Sequence, residues 1–254
     1  MEGLLGGGSY GVVAKVHKAG RYYAMKVYSD TYLQQKGHQS CLAIDLFQRE
    51  TWIMQSIRHP EIPGYVDSFS YEAMYCLVQD YIHGDTLATL MNLGYCCQEK
   101  EVKNLLCKLL TLVNFLHQPK DKKPALVHRD LRLSNIMLDK QRLFIIDFGL
   151  AYPLHHIAGE SFLMKRPPAK TGTDVSPSYL SMRNDYSVQC DLFGAGVVTV
   201  DLFTNAADSD ESLHWEQRIS VSKPFKTLIR RLLGVKGEFS SCLDALEHLR
   251  AIHE

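Results

Sequence analysis

The chain predicts an α+β fold in two lobes: an antiparallel, strand-rich first third with one main helix, followed by a mainly helical remainder. Three observations lead there. Residues 4–30 and 65–79 hold runs of β-branched and aromatic residues cut by glycine and polar turns, the pattern of short paired strands. Past Val102 the apolar residues recur at helical spacing instead. The change falls near His83-Gly84-Asp85, where a linker is expected, so that 1–82 makes the first lobe and 83–254 the second.

Taken in order, Leu4 to Asp30 reads as strand, glycine turn, strand, a turn at Ala19-Gly20, and a third strand rich in strand formers from Tyr22 to Tyr28. A helix is expected from Ile44 to Ile57 and stops at His59-Pro60, because a residue before proline avoids helical backbone. Tyr65–Phe69 and Tyr75–Gln79, joined through Tyr71-Glu72-Ala73, complete the sheet. In the second lobe Val102, Leu105, Leu106, Leu109, Val113 and Leu116 share one helical face, and Asp191 to Phe203 is apolar nearly all round, as a buried helix would be. Phe225, Leu228, Ile229, Leu232 and Leu233 form another stripe, stopped by Gly234. Ser241-x-x-Asp244 reads as a capping box opening a last helix with Leu243, Leu246 and Leu249 on its apolar side.

Composition narrows the function. Hydrophobic residues make up 46% of the 254, ample for a sizeable core. Lys plus Arg and Asp plus Glu are 28 each, so no global field exists to recruit nucleic acid or an anionic membrane, and neither partner is expected. The seven cysteines are odd in number and form no C-x-x-C, which reads as reduced thiols in a cytoplasmic setting. Met1-Glu2-Gly3-Leu4-Leu5 lacks a basic leader, and the longest apolar stretch, Leu192 to Val200, is too short to span a bilayer.

The chemistry concentrates between residues 128 and 149. Ile136-Met137-Leu138 and Leu143 to Ile146 are strand-like and joined by the polar turn Asp139-Lys140-Gln141-Arg142. The open ends of that hairpin are neighbours, which brings Asn135 and Asp147 to one site. An amide oxygen and a carboxylate there suit Mg²⁺, a hard cation that shares oxygen ligands with substrate phosphates. Asp130, five residues earlier, overhangs the same space as a candidate base. Far upstream, Gly6-Gly7-Gly8-Ser9-Tyr10-Gly11-Val12-Val13 fits G-x-G-x-x-G-x-V, a loop in which missing side chains let backbone approach phosphates. Strands flank it on both sides, unlike the dinucleotide fingerprint, which opens a helix.

His128-Arg129-Asp130-Leu131-Arg132-Leu133-Ser134-Asn135, followed by Asp147-Phe148-Gly149, resembles the catalytic and magnesium loops of the eukaryotic-type protein kinase family, and the glycine loop comes in the family's order. The resemblance implies a two-lobed protein kinase fold and an enzyme using ATP and Mg²⁺ to phosphorylate Ser/Thr hydroxyls of protein substrates, itself included. It implies roles as well. Asp130 would orient the nucleophile, Asn135 and Asp147 would hold the metal, Lys26 of Ala24-Met25-Lys26 would clamp the nucleotide phosphates, and Glu50 would pair with Lys26. Val13, Ala24 and Met137 would enclose the adenine, Gln79-Asp80-Tyr81-Ile82 would form the hinge along its edge, and Met54, His128 and Phe148 would stack between the lobes.

Departures from the family pattern follow. Arg132 stands where Ser/Thr kinases carry lysine, keeping the cation but widening its fork. Ser176-Pro177-Ser178 stands for A-P-E without its glutamate, and Val235 to Ser241 lacks the arginine that would pair with it. Losing both partners together avoids a buried unpaired charge. With a shortened second lobe, the chain resembles compact bacterial members of the family. Two other readings stay open: a nucleotide-binding pseudokinase serving as a scaffold, and a small-molecule phosphotransferase on a related fold. In the activation segment, Thr171 is the first choice for a phosphate that Arg129 would receive, with Thr173 expected to contact Asp130.

Overall fold

Five antiparallel strands open the fold: β1 (Gly3–Gly7), β2 (Val12–Lys18), β3 (Arg21–Ser29), β4 (Tyr65–Tyr71) and β5 (Met74–Asp80), in the spatial order β1-β2-β3-β5-β4. They come from a computed structural model that describes residues 2–38, 40–154, 181–182, 185–204, 214–235 and 237–252. Thr171, Thr173 and Ser176-Pro177-Ser178 lie outside the described residues. The Ala19-Gly20 turn joins Lys18 directly to its partner Arg21, with φ of 51° and 78° at the two turn residues. Two positive φ values in a two-residue loop match the twist of the flanking strands.

The expected helix is α2 (Ala43–Ser56), laid across β3 and β5 with Leu46, Glu50, Ile53 and Met54 buried beneath it. A helix that the hydrophobic pattern did not announce precedes it, α1 (Asp30–Gln35), whose first turn is capped by Ser29 Oγ accepting the Tyr32 N–H at 3.2 Å. At six residues it is too short to show a periodicity.

The expected linker at His83-Gly84-Asp85 needs correction at its end, because Asp85 already opens strand β6 (Asp85–Thr86), paired with the hairpin of β8 (Ile136–Asp139) and β9 (Arg142–Ile145). A Cβ on Gly84 would sit 2.0 Å from Leu138 O, so this close approach requires glycine. Helices α3 (Leu87–Asn92) and α4 (Glu99–His117) follow, then β7 (Leu126–Val127), which pairs with β10 (Tyr152–Pro153). After these come α5 (Val188–Thr204), α6 (Trp215–Arg218), α7 (Lys223–Leu232) and α8 (Cys242–Ala251).

All six residues of the α4 stripe are buried, and α4 packs on α5 and α8. At about 1.5–3 kcal/mol for each large apolar side chain, that face anchors the second lobe. The apolar α5 buries Leu192, Ala195, Val198 and Leu202, as its composition demands. The α8 box forms by half: Ser241 Oγ accepts the Asp244 N–H at 3.2 Å, but the Asp244 carboxylate turns to the Ser240 N–H at 3.0 Å. Leu243, expected on the apolar side, is half exposed, and Cys242 and Ala245 take its place inside.

Candidate active site

Lys26 sits inside β3, whose alternation turns it inward to 5% exposure. Its Nζ donates to Glu50 Oε2 at 2.8 Å and to Asp147 Oδ1 at 2.6 Å. Burial would drive the ammonium's pKa down, but the Asp147 and Glu50 carboxylates outweigh it and hold the pKa well above the usual lysine value. Burial likewise acts to raise Asp147, and Lys26 together with the Gly149 N–H at 3.1 Å brings it instead to about 2. Tyr28, two residues on along the same strand face, donates its hydroxyl to Glu50 Oε2. Glu50 therefore stands behind Lys26 rather than in the cleft. A Cβ on Gly149 would lie 2.9 Å from Lys26 Nζ and 3.0 Å from Glu50 Oε2, so a side chain there would press on the paired ends of that ion pair.

Two adjoining cavities, of about 460 and 330 Å³, share Val13, Lys26, Ser134, Asn135 and Asp147 as lining. The larger opens under Gly7, Gly8, Ser9, Tyr10 and Gly11 and is floored by Asp130 and Arg132. The smaller is walled by Ala24 and Met137 and edged by Gln79, Asp80, Tyr81 and Ile82. The Asp80 N–H donates to Gly64 O at 2.9 Å, whereas Tyr81 and Ile82 lie past the end of β5 and outside its ladder. Of the residues expected here from sequence, only Glu50 and Gly6 line neither cavity; Gly6 lies in β1, paired with Val13 of β2.

On the floor, Asn135 Nδ2 donates to Asp130 O at 2.9 Å and to Asp130 Oδ2 at 3.0 Å. With its amide nitrogen so used, Asn135 has its oxygen left for an ion. That oxygen and the Asp147 carboxylate are hard donors that fit Mg²⁺, and two protein ligands leave the remaining positions to phosphate and water. Arg132 Nε lies 3.3 Å from Asp130 Oδ1.

The loop carrying Asp130 is held from below. Asp191 of α5, fully buried, accepts the backbone N–H of His128 at 2.8 Å and of Arg129 at 2.7 Å, and its Oδ2 lies 2.9 Å from His117 Nε2. The His128 ring packs edge-on to Phe148 at 4.9 Å, and both are buried. From sequence alone, Asp191 marks only the start of an apolar helix. A carboxylate at the head of so apolar a segment was the available signal. Arg49 was missed too: buried at 2% exposure, it donates to Gly149 O and so ties α2 to the residue after Phe148.

Comparison with known proteins agrees with this geometry. A family model described as the protein kinase domain matches residues 1–246. The chain is 27% identical to serine/threonine-protein kinase B of Synechocystis sp. over 81% of its length, covering 38% of that protein. It is 26% identical to a probable serine/threonine-protein kinase of Bacillus subtilis over 81% of its length, covering 72% of that one. It is also 28% identical to the gamma catalytic chain of bovine phosphorylase b kinase over 94% of its length, covering 56% of that protein. On the match across nearly its whole length, and with a five-stranded first lobe above a helical second one, the chain belongs to the protein kinase domain family.

Proposed function

We propose that this chain is an ATP- and Mg²⁺-dependent protein serine/threonine kinase that phosphorylates protein hydroxyls, its own among them. One observation supports this above the rest: Lys26, Asp130, Asn135 and Asp147 line one cavity, and that cavity continues into the pocket edged by Gln79 to Ile82. Together the two are large enough for a nucleotide. The nucleotide would lie between residues 1–82 and residues 83–254, and the acceptor would approach on the side of Asp130.

In this reading the acceptor hydroxyl approaches Asp130, which takes its proton as the oxygen–phosphorus bond forms and the bond to the departing ADP oxygen breaks. Asn135 fixes the Asp130 carboxylate for that task through the 3.0 Å bond to Oδ2, and Arg132 places a cation beside it. Bound at Asn135 and Asp147, Mg²⁺ would supply charge neutralisation to the phosphates. A cytoplasmic site of action fits the seven free thiols. Among the described residues no helix is long and apolar enough to cross a membrane.

The test is phosphosite mass spectrometry on the purified chain after incubation with ATP and Mg²⁺, beside thermal denaturation with and without nucleotide. New Ser/Thr phosphates in the wild type and none in Asp130→Asn are expected. Stabilisation by Mg²⁺-ATP without any phosphate on the chain or on generic protein acceptors would replace this reading with the scaffold. Phosphate appearing on small-molecule acceptors alone would replace it with the small-molecule phosphotransferase.

A further inference from the structure

The mouth of the larger cavity has an unanticipated wall. Lys36, the residue that ends α1, lines it together with Gly7, Gly8 and Asp130, and it does not line the smaller cavity beside Gln79 to Ile82. Lys36 therefore stands at the transfer end of the cleft and away from the base pocket. Its helix is fastened to the glycine loop: the Tyr32 hydroxyl donates to Gly8 O at 2.7 Å, and a Cβ on Gly7 would lie 3.3 Å from that hydroxyl. Just past the helix, the His38 ring packs on the Tyr10 ring at 4.8 Å, and Tyr10 is 6% exposed.

The charges around the cavity assign Lys36 a task. Lys26 is already matched by two carboxylates, Glu50 and Asp147, and Arg132 lies against Asp130. Lys36 lines the same cavity and makes no ion pair among the described residues; its ammonium lies 5.5 Å over the Tyr32 ring. A nucleoside triphosphate brings more negative charge than a diphosphate or monophosphate, and brings it at this end.

We propose that Asp30–His38 is a second phosphate clamp, in which Lys36 contacts the terminal phosphates of the nucleotide and Tyr32 fixes the glycine loop that covers them. The inference rests on the nucleotide reading above and deepens it. A charge-assisted contact of this kind weakens steeply when the charge is removed and survives its transfer to another cation.

Equilibrium binding of ATP, ADP and AMP in the presence of Mg²⁺ tests the clamp, measured calorimetrically on the full chain, on Lys36→Gln, on Lys36→Arg and on Tyr32→Phe. Lys36→Gln should bind ATP about tenfold more weakly, ADP less affected and AMP as the wild type does. Lys36→Arg should recover most of the loss, and Tyr32→Phe should weaken ATP more than AMP. Unchanged ATP binding in Lys36→Gln overturns the clamp while leaving the kinase reading standing, and so does an equal loss for ATP and AMP. A wild-type chain that binds none of the three nucleotides overturns both together.

Discussion

Arg129 donates its backbone N–H to Asp191 Oδ1 at 2.7 Å while its own φ stands at +66°. A side chain at such a φ is costly, and a conformation of this sort persists only when its surroundings over-determine it. Asp191 supplies that hold, and it rises from α5, whose apolar surface fixes it in the core. Burial acts to raise the Asp191 pKa, but the hydrogen bonds from His117 and His128 win and lower it. The hydrogen bonds that hold the loop thus favour the ionised carboxylate.

Asp191→Ala is accordingly expected to cost about 3–5 kcal/mol, because the N–H groups of His128 and Arg129 lose their acceptor inside the core. Asp191→Asn keeps an acceptor but not the charge, and should lose less. Thermal denaturation of both variants measures this. An alanine variant as stable as the wild type would show that the loop holds its shape without α5.

Lys26→Met and Asp130→Asn should each leave the fold intact and lower phosphoryl transfer at least about a hundredfold, the usual loss when one preorganised charge is removed from a site of this type. Asp147→Asn acts differently. It removes one of the two candidate metal ligands while Glu50 still holds Lys26 at 2.8 Å, so weaker Mg²⁺-nucleotide binding should dominate. Titrating Mg²⁺ at fixed ATP separates the cases: the Asp147 variant should need more metal, and the Lys26 and Asp130 variants should not.

What was readable in the sequence was whatever local chemistry writes locally. The Ala19-Gly20 turn, the α4 stripe and the hairpin that joins Asn135 to Asp147 are each fixed by residues within one short segment. Arg49, Asp191 and Lys36 were not legible as site residues, because each acts on a partner far along the chain. Arg49 reaches Gly149, Asp191 reaches His128 and Arg129, and Lys36 lines one cavity with Asp130. Leu243 shows the opposite limit. It stands three residues before Leu246, but the buried face of α8 runs through Cys242, Ala245, Leu246 and Leu249, which leaves Leu243 in the first turn pointing outward.

The Arg129 guanidinium bears on the expectation that it receives a phosphate at Thr171. Its Nε donates to Asp185 O at 3.2 Å, its Nη1 donates to Leu150 O at 3.1 Å, and the group lies 3.8 Å over the Tyr186 ring. A phosphate would have to compete with those contacts. Arg129→Ala should therefore lower activity even in a chain whose Thr171 is already alanine, since it also frees Leu150 O and Asp185 O. Activity of the two single variants and the double variant decides this. A double variant no worse than either single one would restore direct pairing between Arg129 and a Thr171 phosphate.

Asp201 supplies a pH dependence. It lies on α5 two turns and more beyond Asp191, and burial lifts its carboxyl from the ordinary 3.8 to about 6, only partly offset by Arg218 and Arg132. A raised acid pKa means that the folded chain binds this proton more tightly than the unfolded chain does. Its contribution to stability is therefore most favourable below about pH 4, falls as pH rises towards 6, and is flat above. A shift of that size corresponds to a penalty on the order of 2–3 kcal/mol at pH 8. Asp201→Asn should remove the penalty, so that the variant is more stable than the wild type at pH 8 while the two converge near pH 4. Denaturant unfolding of both proteins across that range makes the comparison, with other titrating groups cancelling in the difference. A difference that does not change with pH would mean that the Asp201 carboxylate is ionised throughout, held by Arg218 and Arg132 against its burial.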